Sequence, residues 1–169
     1  TTWIGGQLTQ QAVPPDEHRY IEEFGATRTY RDYRTRVRDY YRRNYPLTAE
    51  ARARWNLNPG QGRVSRLCHE PRVSVAVLEE MLAPHVSAGR VRVLMHHKAV
   101  AADITGDRIR AVEVADLASG RKKTLAGTYF LDATEMGDLL PMTRTEYVTG
   151  FESQRQTGEL HAPAAAQPA

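Results

Sequence analysis

The chain has 169 residues, of which 41% are hydrophobic and 25% are charged, and its formal net charge is +3. This is the composition of an ordinary globular protein, and the length suffices for one domain with a hydrophobic core. No apolar run approaches the roughly 20 residues of a membrane-spanning helix, and a single cysteine, Cys68, excludes an internal disulfide framework.

A loop-rich start precedes the first predicted helix. Residues 1–27 contain a Gly-Gly pair, a Pro-Pro pair and few periodic apolar positions, which predicts mostly loop with a short helix near residues 16–24. From Thr29 the apolar positions recur at helical spacing, so we predict a helix that is capped by Thr29 and ends before Pro46. Its apolar face consists of Tyr30, Tyr33, Val37 and Tyr40 or Tyr41.

A second helix is predicted to begin at Pro71, because a proline at the first helical position loses no hydrogen bond. This helix is apolar around much of its circumference, so it is expected to be well buried and to end near Pro84. Residues 91–95 follow as a short strand rich in β-branched side chains. A buried helix followed by an apolar strand is one arm of a βαβ unit.

Three strand-like runs come next, at residues 99–105, 108–116 and 121–126. Their short links predict antiparallel pairing, and therefore a three-stranded β-meander. Residues 128–131 are again continuously apolar, as a buried parallel strand would be. The predicted fold class is α/β, with parallel strands, this antiparallel meander and an inserted helical segment at residues 16–56.

The residues after that last strand are the strongest candidate for a functional site. Ligands of open α/β sheets bind beyond the carboxyl ends of strands. The small residues before Gly137 allow close approach to the backbone, and Asp138 is suited to accept hydrogen bonds from ligand hydroxyls. The alternative is a tight turn with Asp138 as a helix cap, and the local sequence favours neither.

The Gly5-Gly6 pair near the start is a weaker signal. Paired glycines permit positive φ and close backbone approach to a ligand, although an ordinary turn explains such a pair more often. In this order and with the meander between them, these motifs resemble bacterial FAD-dependent oxidoreductases of the glutathione-reductase-like flavoprotein superfamily. The resemblance extends through Gly150 and rests on Trp3-Ile4-Gly5-Gly6-Gln7-Leu8-Thr9, Val13-Pro14-Pro15-Asp16-Glu17-His18, Val64-Ser65-Arg66-Leu67-Cys68-His69-Glu70-Pro71-Arg72-Val73 and Phe130-Leu131-Asp132-Ala133-Thr134-Glu135-Met136-Gly137-Asp138-Leu139.

The resemblance implies a G-x-G-x-x-G turn before Trp3, where a helix N-terminus binds the FAD pyrophosphate. The chain starts at Thr1 without methionine, and its nearest match, Gly60-Gln61-Gly62, lacks the third glycine. We therefore expect an internal piece of a longer flavoprotein, inactive by itself, in which residues 1–150 form part of the FAD-binding domain and residues 151–169 are a truncated, disordered tail. The location of the protein is left open by the sequence, with the cytoplasm favoured.

The resemblance also implies where FAD binds. The implied contacts are Gly5, Gly6 and Gln7 on the flavin side, Ala99 and Val100 at the adenine, and Ala133, Thr134, Gly137 and Asp138 at the strand end. Many relatives have glycine after the Ala-Thr pair. Here Glu135 stands at that position, and its side chain restricts how closely the backbone can meet FAD.

His18 and His69 are weak catalytic candidates, because each lies near a proposed cofactor loop and histidine can exchange a proton near neutral pH. Cys68 and His69 are adjacent in an extended segment, so they point to opposite faces and are poorly placed to act together. We favour Cys68 as a small buried hydrophobe and Glu70 as the cap of the Pro71 helix. No metal site is predicted, since the histidines lack partners at ligand spacing.

The arginine-rich helix at residues 28–45 offers a rival function. Arginines between tyrosines could bind nucleic-acid phosphates and stack on bases. We favour a packing role, with the tyrosines on the core and the arginines solvated or paired with Asp32 and Asp39. The function expected is FAD-mediated hydride or electron transfer on a small-molecule substrate, with no nucleic-acid or membrane partner. A family member that binds FAD without catalysis is the other alternative.

Overall fold

The computed structural model describes residues 2–15 and 18–168. The chain forms two compact units, residues 1–96 and residues 97–169. The first is helical and the second contains a three-stranded antiparallel sheet, so the chain is mixed α/β. Among the described helices, none is both long and apolar enough to cross a membrane.

The first unit contains a one-turn 3₁₀ helix, Gly6–Leu8, and the helices α1 (Arg28–Asn44), α2 (Ala49–Ala53) and α3 (Pro71–Ser87). The predicted cap of α1 at Thr29 is wrong. Thr27 caps the helix instead, because its hydroxyl accepts a hydrogen bond from the Tyr30 N–H at 3.2 Å. The helix ends before Pro46, as predicted.

The short helix predicted near residues 16–24 lies partly outside the described residues, which omit 16 and 17. Residues 19–23 form consecutive turns rather than a helix. The N–H of Ile21 donates to the carbonyl of His18 at 3.1 Å, and the N–H of Phe24 donates to that of Tyr20 at 3.1 Å. Gly25, at φ +81°, follows directly with a conformation that a helix does not continue.

The core of the first unit lies between α1 and α3, and the predicted apolar face of α1 is confirmed. Its buried side chains are Tyr33, Val37 and Tyr41 of α1, Val73 and Val77 of α3, and Leu57 and Leu67 of the intervening segment. Tyr30 and Tyr40 pack against this cluster and are partly buried. Helical spacing therefore identified the side of α1 that faces the core.

Helix α3 begins at Pro71 as predicted, but its burial and its end differ from the prediction. Its buried residues are confined to Val73, Ser74 and Val77, and Val86 in the last turn is 46% exposed. The helix continues past Pro84 to Ser87, because a proline in the last turn removes only one backbone donor there.

The second unit contains the predicted meander. Strands β1 (His97–Thr105), β2 (Arg108–Asp116) and β3 (Lys122–Ala126) pair antiparallel in the order β1-β2-β3. The first turn contains Gly106 at φ +55°, a left-handed conformation that glycine adopts without strain. Strand β2 lies in the middle and carries the buried side chains Ala111, Val112 and Val114.

The parallel strands predicted at residues 91–95 and 128–131 are absent, and no parallel pairing occurs in the part of the chain that the structure describes. The prediction was wrong for a physical reason. A parallel strand exists only with hydrogen-bonded neighbours, and neither segment has one among these residues. Tyr129 and Leu131 are 84% and 87% exposed, although their sequence predicted burial.

Two short helices follow the sheet, α4 (Leu139–Thr143) and α5 (Gln154–Thr157). A capping box opens α5: Gln156 accepts from the Ser153 N–H at 2.9 Å. Phe151 and Gln167 form an isolated antiparallel bridge, with mutual hydrogen bonds of 2.8 and 2.9 Å.

Candidate functional site

Residues 132–138 form a tight turn that leads into α4. The carboxylate of Asp132 accepts from the N–H of Thr134 and from that of Leu139, both at 2.9 Å. The Thr134 hydroxyl oxygen in turn accepts from the N–H of Asp138 at 2.7 Å. The backbone donor of Thr134, its hydroxyl and the Leu139 donor together lower the pKa of Asp132, so this carboxylate is ionised at neutral pH.

The surface of this turn presents backbone groups. Gly137 adopts φ +63°, and a Cβ there would lie 2.8 Å from the side chain of Leu140. Ala133, Glu135 and Met136 are exposed, and their N–H groups donate to no other described residue. The turn therefore offers unpaired backbone donors at its surface, which suits contact with oxygen atoms of a ligand.

Asp138 occupies the N-cap position of α4, but its side chain makes no capping hydrogen bond. Its carboxylate lies 3.6 Å from the ammonium of Lys98 in β1, and its side chain is 30% exposed. The sequence suggested Asp138 as the cap, but the first α4 amide donates to Asp132 instead. The available signal was an aspartate two residues before Thr134, the spacing of an Asx turn.

Gly5 and Gly6, predicted to approach a cofactor, form a left-handed turn at φ +102° and +48°. A Cβ at Gly5 would lie 2.6 Å from Leu78 Cδ1 of α3 and 2.7 Å from Thr9 Cγ2, so this glycine permits close packing within the protein. Gln7 is exposed, and its carbonyl accepts from the Val13 N–H at 2.9 Å.

Ala99 and Val100, the predicted adenine contacts, lie in β1. Ala99 pairs with Val114 of β2, and the register shifts between Ala99 and Ala101. Val100 is the extra residue of this bulge and is 40% exposed. A bulge reorients a side chain and frees backbone N–H and C=O groups from strand pairing. Val100 can therefore offer backbone groups to a ligand, whereas Ala99 is paired with Val114.

His69, a weak catalytic candidate, belongs to a half-buried hydrogen-bond network. Its Nδ1 lies 2.9 Å from the carbonyl of Leu67, and its Nε2 lies 2.6 Å from the hydroxyl of Ser74. The Tyr33 hydroxyl lies 2.6 Å from the same serine. A carbonyl can only accept, so Nδ1 carries the proton and Nε2 accepts. Burial lowers the pKa of His69.

His18, the other candidate, lies beside Gly25 in the turn segment. Its Nδ1 accepts from the Tyr20 N–H at 3.2 Å, and its ring centroid lies 5.8 Å from that of Phe24. A Cβ at Gly25 would lie 2.5 Å from His18 Nε2, so the glycine makes room for the ring. Within the described residues, no group of three or more His, Cys, Asp or Glu is placed to hold a metal ion.

Cys68 and His69 make separate contacts, since the Cys68 thiol lies 3.6 Å from the carbonyl of Ser65. Glu70 occupies the N-cap position of α3 without capping it. Its carboxylate instead accepts hydrogen bonds from the hydroxyls of Tyr41 and Tyr45, at 2.9 and 2.5 Å. The expected capping role of Glu70 is therefore wrong: the two phenol donors hold its carboxylate, which accepts from no backbone N–H of α3.

The arginines of α1 differ from one another in their surroundings. Arg36 and Arg42 pair with Asp32 and Asp39, each at 2.8 Å, as predicted. Arg34 and Arg38 are buried, which was not predicted, and they share Glu22. Arg34 and Arg38 are thus occupied inside the first unit, and the face of α1 that carries Tyr33 and Tyr41 serves packing.

Comparison with known proteins gives one result. A family model described as FAD dependent oxidoreductase matches residues 1–168. No curated protein and no solved structure matches the chain significantly.

Proposed function

Because the chain belongs to the FAD-dependent oxidoreductase family, we propose that it serves flavin-dependent redox chemistry on a small-molecule substrate. The observation that carries this proposal is the extent of the family match, which covers all but the last residue. Bound FAD would accept or give a hydride or electrons, while the protein supplies position and electrostatics.

In the second unit, we propose that the turn at residues 132–138 is a cofactor contact. It combines exposed backbone N–H groups with a glycine at positive φ, features that suit an oxygen-rich ligand. Ala133 and Thr134 would meet the cofactor through their backbone, and Asp138 would accept from a ribityl hydroxyl. Asp132 would act indirectly, because its two hydrogen bonds hold the turn in shape.

In the first unit, the proposed contacts are Gly6 and Gln7, with Gly5 in a supporting role. Gln7 is exposed, whereas the space around Gly5 is filled by Leu78 and Thr9. Gly5 would therefore shape the turn, and its neighbours would meet the ligand. Val100, at the bulge of β1, is a corresponding proposal for the second unit.

We further propose that the chain contributes to a Rossmann-like domain, as its family implies. The apolar segment at residues 128–131 supports this, because side chains of its composition are usually buried in a sheet while Tyr129 and Leu131 are exposed. Strand neighbours in the complete domain would cover them.

The experiment is to purify the complete protein and to identify any flavin released on denaturation by mass. Asp138→Asn should weaken FAD binding, and Asp107→Asn in the β1–β2 turn is the matched control. Loss of FAD in the first variant alone supports the proposed contact. Equal FAD content in both variants would remove Asp138 from the site. FAD that no donor reduces would favour a binding protein without catalysis.

A further inference from the structure

A cavity of about 920 Å³ lies in the first unit, between the end of α1, helix α2, the loop near residue 60 and the start of α3. Its lining includes Tyr41, Tyr45 and Glu70. Its volume is in the range of sites that take small organic molecules. None of these three residues belongs to the proposed cofactor contacts.

The carboxylate of Glu70 is held in place on one side only. Both tyrosine hydroxyls donate to Oε2, at 2.9 Å from Tyr41 and 2.5 Å from Tyr45. The Tyr41 oxygen also accepts from the Glu70 N–H at 2.9 Å, which closes a small ring of hydrogen bonds. Oε1 accepts no hydrogen bond from any residue of the described chain, so it remains available to a donor from outside.

The part of the cavity next to Tyr41 and Tyr45 carries the negative charge of Glu70. Hydrogen bonds from Tyr45 and then Tyr41 lower the pKa of Glu70, so the carboxylate is ionised at neutral pH. His69 also lines the cavity, and burial lowers its pKa, which favours its neutral form. Arg54 is a lining cation, and among the described residues it forms no ion pair with Glu70.

The two phenol rings stand next to that carboxylate. The centroids of Tyr41 and Tyr45 are 4.5 Å apart and their planes are inclined by 41°. Aromatic faces attract cations through their quadrupole, and a carboxylate beside them adds a charged acceptor. A neutral or anionic ligand would gain less, because it would face an ionised carboxylate without neutralising it.

We infer that this cavity binds a small organic ammonium ion, with the ammonium donating to Oε1 of Glu70 and the apolar body lying against the rings of Tyr41 and Tyr45. The site goes beyond the proposed redox function and stands on the geometry of the first unit alone. Loss of FAD binding would leave it untouched.

The test is isothermal titration of the full chain with two probes of the same shape, benzylammonium chloride and benzyl alcohol. We expect benzylammonium to bind at least about tenfold more tightly, a difference of about 1.4 kcal/mol. Glu70→Gln should remove at least about tenfold of that affinity, whereas Glu79→Gln should not change it. Glu79 is an exposed carboxylate in α3, the helix that Glu70 precedes, and does not line the cavity.

Equal affinity for the two probes, no binding of benzylammonium at millimolar concentration, or retained affinity in Glu70→Gln would each overturn the inference. If Glu70→Gln does not fold, ring-proton shifts in the unmutated chain decide the question. Shifts of the Tyr41 and Tyr45 resonances on addition of benzylammonium support the site, and shifts confined to other residues contradict it.

Discussion

Glu22 and Arg38 form a buried, two-point ion pair. Arg38 Nη2 donates to Oε1 at 2.5 Å and Nη1 donates to Oε2 at 3.1 Å, and the exposed fractions of the two side chains are only 7% and 5%. Arg34 donates to Oε1 of the same carboxylate at 2.5 Å. One acid from the turn segment thus ties two cations of α1 to the rest of the first unit.

Replacing Glu22 should be strongly destabilising. Glu22→Gln leaves two buried guanidinium groups without their carboxylate, and breaking a buried pair in this way costs about 3 to 5 kcal/mol. Urea unfolding followed by circular dichroism measures the free energy of unfolding. Glu23→Gln is the matched control, since Glu23 is exposed and should change stability little. Equal free energies of unfolding for the two variants would show that the ion pairs of Glu22 with Arg34 and Arg38 do not stabilise the fold.

His69 should make the stability depend on pH. Burial lowers its pKa in the folded chain, so the unfolded chain binds a proton first as the pH falls below the ordinary value of 6.5. The stability contributed by neutral His69 is complete above that pH and is lost as the pH falls through the folded pKa. Urea midpoints from pH 7.5 downward should therefore decrease, and they should decrease less in His69→Asn. Parallel curves would contradict this role.

Gly5→Ala should destabilise the first unit by about 1 to 3 kcal/mol, the usual cost of overpacking. The added Cβ would lie 2.6 Å from Leu78 and would require φ +102°. Gly89→Ala is the matched control, because its φ is +69° but nothing lies within 4 Å of the added carbon. Thermal unfolding of both variants separates the packing cost from the backbone cost. If Gly89→Ala destabilises the protein as much as Gly5→Ala does, the Cβ added at Gly5 has no packing cost.

Asp132→Ala should loosen the turn before α4. The Thr134 and Leu139 N–H groups lose their acceptor, so their hydrogen exchange should accelerate. Asp138→Ala serves as the control, because the Asp138 side chain caps no backbone amide. NMR exchange rates compare the two variants directly. Unchanged exchange at Leu139 in Asp132→Ala would show that the turn is held by other contacts.

The sequence was a good guide wherever a feature depends on local periodicity. The spacing of Tyr33, Val37 and Tyr41 identified the buried face of α1, and the short turns identified the antiparallel meander. The parallel strands were wrong, because their existence depends on neighbours that a single segment does not specify. The ion pairs of Glu22 were not predicted for a related reason. Arg34 and Arg38 lie 12 and 16 residues from Glu22 along the chain.

The candidate site was predictable in part. The motif at residues 132–138 predicted a tight turn before a helix, and the structure has one, yet Asp132 rather than Asp138 bonds the backbone. Glu70 was expected to cap α3, and only the fold shows that two tyrosines of the α1 end reach it. The position of Glu70 directly before a helix suggests that it caps the helix. Which donors reach its carboxylate is decided by the tertiary structure.

The central proposal is that this protein uses FAD in redox chemistry, as its family membership implies. The most direct measurement is isothermal titration of FAD into flavin-free complete protein, with the released cofactor identified by mass after denaturation. We predict one FAD per chain with a dissociation constant of about 1 μM or lower, which corresponds to about 8 kcal/mol of binding free energy. No flavin in the purified protein and no binding of FAD at millimolar concentration would contradict the account.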